Sequence, residues 1–383
     1  MMKKYFYLAS SGLILFEFLN KYLIMPIPGS QDINSIDTAY FLHYYRWIFR
    51  GLFILGILFG VVPALKSKRK WLAAALLIVA GLVTYLFNFQ MSADHMFLPI
   101  TQIGLVSKAE NKLPGSRLVI GVENNGEAHA FPIEFLAYHH QILETVGGEA
   151  MMVTYCSVCH TGRVFSPLVN GEMEQFRLVG MDHFNAMFED KSTGSWWRQA
   201  NGEAIAGKMK GQKLREIESV QMSIDQWYEL YPSGKVMQTD QKFILTYDSM
   251  ANFEQGLSKG SLTRTDTVPW QEKSWIVGLE IGKNAIAFDW IELKKSRIQR
   301  DKVGDQAIIV VVSSDYRTFA VFEIPEDQMF SIEGDLISSG SATYDLRGRN
   351  IADPSSQLKR VQAYQEFWHS WKTFHPDTKR HLN

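Results

Sequence analysis

Val153-Thr154-Tyr155-Cys156-Ser157-Val158-Cys159-His160-Thr161-Gly162-Arg163-Val164-Phe165 sets the reading of the whole chain. The apolar run 150–155 has strand length, and 162–166 reads as a returning strand. Cys156 and Cys159 therefore sit on a tight connection between two strands. They are the only cysteines among 383 residues. Thioredoxin-like proteins place this spacing at the start of a helix, but no helix-period pattern follows Cys159.

Strand signals continue on both sides. Upstream, 117–123 alternates and predicts a strand, with 127–131 as its hairpin partner across Asn124-Asn125-Gly126. Pro132 then opens a short helix over 133–140. Downstream, 174–179 reads as a strand, and 223–231 as an amphipathic helix stopped by Pro232. Residues 240–275 are polar and turn-rich, which marks them as a boundary.

The sequence also matches itself at a shift of 157 residues. Gly121 meets Gly278, Ala128, Ala130 and Phe131 meet Ala285, Ala287 and Phe288, and Val164-Phe165 meets Val321-Phe322. At a smaller shift Trp227 and Pro232 meet Trp371 and Pro376. The expected fold is a mainly β (α+β) region built from two pseudo-repeats, 92–240 and 241–383. The matched positions are the glycines and apolar residues that turns and cores need. The thiol motif is not among them: Cys156, Cys159 and His160 meet Ser313, Tyr316 and Arg317. A scaffold of this kind folds without the cysteines, which favours a chemical role for them.

Residues 1–91 are different in character. Three apolar runs, 5–25, 47–65 and 71–89, each approach the length a helix needs to cross a bilayer, so three transmembrane helices are expected. Lys3, Lys4, Lys66, Lys68, Arg69 and Lys70 put the N-terminus and the loop after the second run in the cytoplasm. The large C-terminal region is then periplasmic, outside a bacterial inner membrane. Glu17 and Lys21, one helical turn apart, are expected to pair with each other. With 39 Lys+Arg against 40 Asp+Glu, the chain lacks the basic excess of a nucleic-acid binder. The bilayer and a membrane or periplasmic protein remain as partners.

Further motifs surround the cysteines. Val146-Gly147-Gly148, Thr154-Tyr155-Cys156-x-x-Cys159, Thr161-Gly162-x-Val164-Phe165, Phe188-Glu189-Asp190-Lys191-Ser192-Thr193-Gly194-Ser195 and Gly202-Glu203-Ala204-Ile205 occur in order. Together they resemble the signature of the bacterial domain-of-unknown-function family 3179, over residues 105–380. The resemblance implies no activity. In that family the residue after the second cysteine varies, so His160 is a departure and haem attachment is not implied.

Three chemistries suit the pair. Soft thiolates with imidazole suit copper or zinc, and the same thiols can cycle through a disulfide. Cys156 and Cys159 are the reactive candidates. A closed metal site would draw further ligands from His139, His140, His160, His183 and Asp190. Cys156-Ser157-Val158-Cys159-His160 also satisfies the c-type haem attachment pattern. The third is a structural disulfide in a non-catalytic, membrane-tethered binding module. His139 and His140 read equally well as a polar helix end, and Asp190 as a turn acceptor.

Overall fold

The computed structural model describes residues 2–382 and divides into two compact units. One holds residues 2–98, 174–198 and 203–213. The other holds 99–173, 199–202 and 214–382. The stretches 174–198 and 203–213, expected inside a first repeat, thus join the unit of the N-terminal helices.

In that unit, helices Arg46–Leu65 and Lys70–Gln90 are long and apolar enough to cross a membrane. Among the described residues two helices meet that standard, not the expected three. The first helix, Met2–Tyr22, has the length, but Lys3, Lys4, Glu17 and Lys21 dilute its apolar character. It packs closely on Arg46–Leu65 through small residues. A Cβ added at Gly60 would lie 2.7 Å from Phe6 and from the Met2 carbonyl, and one at Gly56 2.8 Å from Ala9. Helices of apolar surroundings associate through such close backbone approach. Glu17 does not depend on Lys21. Arg50 donates to both of its carboxylate oxygens, at 2.7 and 2.9 Å, and Asn88 donates at 3.0 Å. A buried carboxylate needs a charged, hydrogen-bonded partner, and the bidentate guanidinium meets that need better than a lysine in its own helix. The unit's four-stranded sheet, Phe176–Asp182, Asn185–Asp190, Trp196–Arg198 and Ala204–Ala206, packs Val179, Met187, Trp196 and Ile205 against Ile24, Met25 and Ala39.

The second unit shows the same sequence of elements twice. Hairpin Leu118–Asn124/Glu127–Pro132 leads into helix Ile133–His139. A meander follows, Gln141–Val146, Glu149–Cys156 and Thr161–Phe165. Hairpin Trp275–Ile281/Asn284–Asp289 leads likewise into helix Trp290–Ser296 and meander Ile298–Val303, Gln306–Val312 and Phe319–Glu323. Strand Val220–Ser223 flanks the first hairpin antiparallel and Lys235–Met237 pairs with it parallel. Ala363–Phe367 and Lys379–Arg380 do the same for the second. Both short helices end on a left-handed residue, His140 and Arg297, each with φ 61°.

Each hairpin is apolar on both faces because both are covered. The meander side carries Ile120, Phe131 and Val153 in one case and Val277, Phe288 and Val310 in the other. The opposite face is capped by Trp227 from helix Ile224–Leu230 and by Trp371 from helix Trp368–Phe374. Both indoles lie on a glycine. A Cβ at Gly121 would sit 2.2 Å from Trp227, and one at Gly278 2.4 Å from Trp371. Gly121→Ala and Gly278→Ala are each expected to destabilise by about 1–3 kcal/mol through overpacking. Chemical denaturation of the two variants checks this, and a neutral result at either would show that its indole does not hold the hairpin.

Residues 240–275 are not simply a boundary. They include helix Ile244–Glu254, which buries Tyr247, Phe253 and Glu254. Tyr247 packs on Phe135 with ring centroids 4.2 Å apart, and Phe253 belongs to the same core.

Candidate functional site

The thiol site forms where the Cys156–Thr161 pair closes the meander. The turn forces His160 into the left-handed region, φ 57°. Both cysteines are present as thiols, with no exposed surface. The second half of the unit covers them. The Phe367 N–H donates to the Cys159 carbonyl at 2.8 Å, and the His369 ring bonds the Val158 backbone. Ser370 is fully buried in the same segment.

Burial raises the Cys159 thiol well above its ordinary pKa, and a hydrogen bond with Cys156 raises it further. The buried Ser370 hydroxyl acts in the opposite direction. So does the Lys273 ammonium, whose field reaches both sulfurs. Lys273 Nζ lies 3.2 Å from His369 Nε2 and donates to the Leu262 carbonyl at 2.8 Å. Burial lowers the Lys273 pKa, against the attraction of the cysteines. Glu366 adds negative charge and opposes ionisation of Cys159.

His160 stacks on Phe253, ring centroids 4.0 Å apart, and touches Phe367 and Trp275 at 4.6 and 5.1 Å. Its Nδ1 is 3.0 Å from the Tyr155 hydroxyl, and Nε2 is buried without a hydrogen-bond partner among the described residues. Burial, aided by Lys273, lowers its pKa to about 3, and the same two causes lower His369 to about 3. Both rings are neutral at pH 7. A histidine whose folded pKa is depressed binds its proton only in the unfolded chain below about 6.5. Stability is therefore intact above that value and is lost as pH falls toward 3. Each ring accounts for a loss of roughly 2–3 kcal/mol between pH 7.5 and 4.5. In His160→Gln that pH-dependent loss should shrink by this amount, read from unfolding free energies at the two pH values. An unchanged pH dependence would mean that the ring already titrates in the folded protein.

The other expected ligands are occupied elsewhere. His139 Nε2 is 2.6 Å from the Tyr247 hydroxyl, inside the core of the Ile244–Glu254 helix. His140 Nδ1 is 3.0 Å from the Tyr138 carbonyl, and burial lowers its pKa to about 4. Its own carbonyl accepts the Tyr155 N–H, so its backbone supports the cysteine strand. His183 and Asp190 belong to the other unit. His183 pairs with Asp182 at 2.7 Å, which raises its pKa. Asp190 accepts from the Thr193 N–H and hydroxyl, the Ser195 N–H and the Trp197 indole, and so orders a turn. Among the described residues, no group of three or more His, Cys, Asp or Glu is arranged to hold a metal ion. A haem does not fit either, because the sulfurs have no exposed surface and the His160 ring is packed among Phe253, Phe367 and Trp275.

Lys273, Glu366, His369 and Ser370 carry no motif, and sequence reasoning missed all four. His369 and Ser370 lie between Trp368 and Trp371, whose apolar rings dominate the local pattern. The available signal was the repeat. In the second half, the Asp315 turn receives the Ser223 hydroxyl at 2.6 Å, as the cysteine turn receives Phe367. Each turn is thus met by the flanking segment of the other half.

No curated protein and no solved structure matches the chain. A family model described as "Protein of unknown function (DUF3179)" matches residues 100–378, the region that contains the doubled hairpin unit and the cysteine turn. The match covers far more than half of the sequence, and the chain belongs to that family.

Proposed function

We propose that the protein is a membrane-anchored dithiol carrier of redox equivalents, in which Cys156 and Cys159 alternate between two thiols and one disulfide. The reading rests on one observation. Two hydrogen-bonded thiols, beside an ammonium and a hydroxyl, occupy a turn that the other half of the unit builds from Ser313 and Tyr316 instead. In oxidation both S–H bonds break and one S–S bond forms. Two electrons and two protons pass to the oxidant; a low-molecular-weight disulfide would leave as two thiols. Lys273 stabilises the thiolate that starts the exchange, and Ser370 supports it.

A second reading, a soft metal such as copper held by the two sulfurs, is favoured by the buried, unpartnered Nε2 of His160. Zinc would need more ligands than are gathered here. The two apolar helices support membrane anchoring, and the first helix, packed along Arg46–Leu65, supports a third crossing. The basic residues at 3–4 and 66–70 support a cytoplasmic N-terminus and a periplasmic thiol unit at the inner membrane. The repeated order of elements supports an origin by duplication.

The test is redox titration of the full chain in detergent, with thiols counted after denaturing alkylation. A two-electron transition lost in Cys156→Ser supports the carrier. Stoichiometric copper lost in the same variant supports the metal site instead. Thiols that stay reduced at every potential, with no metal bound, would leave only a tethered scaffold.

A further inference from the structure

A second site lies on the partner turn, and it shares the Trp275 side chain with the surroundings of His160. The hairpin connection Ser313–Thr318, which corresponds to the cysteine turn, borders a cavity of about 310 Å³. Glu254, Trp275, Trp290, Lys294, Arg317 and Gln365 are among its lining residues. The volume falls at the lower end for small-molecule sites.

Its polar groups are incompletely satisfied. Glu254 and Gln365 are 2% and 4% exposed. Among the described residues, Glu254 Oε2 and Gln365 Nε2 have no hydrogen-bond partner, and neither does the Trp275 indole nitrogen. The Gln365 oxygen is already taken by Gln221 at 2.6 Å, so its amide N–H groups are what remain. Buried polar atoms left unmatched are costly, and several around one cavity indicate a missing partner. Two of the three are N–H donors.

The charge balance points the same way. Lys294 and Arg317 are half-buried, and among the described residues neither side chain forms an ion pair or hydrogen bond within the chain. Asp315 is saturated by Ser223, Ser313 and the N–H groups of Arg317 and Thr318. The remaining carboxylate is Glu254, which accepts the Leu118 N–H at 2.8 Å and lies 3.9 Å from Arg117. Unmatched donors and cations call for an acceptor-rich anion, and the indole rings of Trp275 and Trp290 offer flat apolar walls.

We propose that this cavity binds a small aromatic carboxylate, its oxygens held by Arg317 and Lys294 beside the buried N–H groups of Trp275 and Gln365. Glu254 makes that binding proton-linked. Burial, with a contribution from Glu134, raises its pKa to about 7, while the Leu118 N–H, Arg117 and Arg317 act against the rise. The protonated form neither repels an anion nor lacks a donor. Affinity therefore falls as pH rises above 7, by as much as tenfold per unit, and the anion enters together with a proton.

Benzoate serves as the probe, with benzamide as its neutral counterpart, in calorimetric titrations of the full chain in detergent at pH 6 and pH 8. Saturable benzoate binding is expected, weaker at pH 8 and at least tenfold weaker for benzamide. Lys294→Ala/Arg317→Ala should reduce affinity at least tenfold with an unchanged unfolding temperature. Glu254→Gln should bind with no pH slope between 6 and 8. If the double variant unfolds, Gln365→Leu and quenching of Trp275 fluorescence read the same site. Equal affinity for benzamide, unaltered binding in the variants, or no saturable binding at millimolar benzoate would overturn the assignment. Cys156→Ser should bind benzoate as the native chain does, so the outcome is independent of the thiol chemistry.

Discussion

Glu366→Ala should cost the fold about 3–5 kcal/mol, because it strands a buried guanidinium. Arg163 Nη2 donates to Glu366 Oε2 at 3.1 Å, with the two side chains 4% and 1% exposed. Glu216, 3.7 Å from Nη1 and 30% exposed, cannot fully replace it. The Tyr364 ring faces the guanidinium with its centroid 3.1 Å away, and it offers dispersion and a quadrupole but no countercharge. Glu366→Gln keeps an acceptor and should lose less. Arg163→Met/Glu366→Leu removes both charges and should recover most of the loss. Urea unfolding of the three variants tests the ordering. If the double variant proves as unstable as Glu366→Ala, packing rather than charge explains the effect.

The second large effect concerns reactivity. In the reduced native protein at pH 8, Cys156 and Cys159 should react with a water-soluble aromatic disulfide at least about a thousandfold more slowly than in denaturant. Two causes multiply. The sulfurs have no exposed surface, so attack waits for the Phe367–Ser370 segment to open. The raised pKa of Cys159 also keeps its thiolate scarce. Lys273→Met removes the ammonium that favours the thiolate and should slow the reaction further, without altering the thiol count. Stopped-flow kinetics in native buffer and in denaturant measure both. Native rates within tenfold of the denatured ones would show that the turn is open in solution.

Local pattern made much of the doubled unit legible. The alternating and continuous apolar runs, the Asn124-Asn125-Gly126 turn and the Pro132 helix start all depend on nearest neighbours, and the strands fall within a few residues of expectation. The helix Ile244–Glu254 was also present, in Phe243, Tyr247, Met250 and Phe253 at helical spacing. Flanking glycines and polar residues obscured it. Run length alone does not separate Met2–Tyr22 from the two helices that meet the apolar standard, because its charges dilute it, and the partner of Glu17 lies a helix away in Arg50. The cysteine turn itself was legible, since it is contiguous. Its surroundings were not, because Lys273, Glu366 and His369 reach it only through tertiary packing.

The cover over the cysteine turn comes from Phe367, His369 and Ser370, far downstream of the sulfurs it hides. During synthesis the sulfurs emerge long before that cover exists. A nascent chain therefore passes through an interval in which its most oxidisable atoms are bare, and the redox conditions it meets then can decide the state in which the finished protein is sealed.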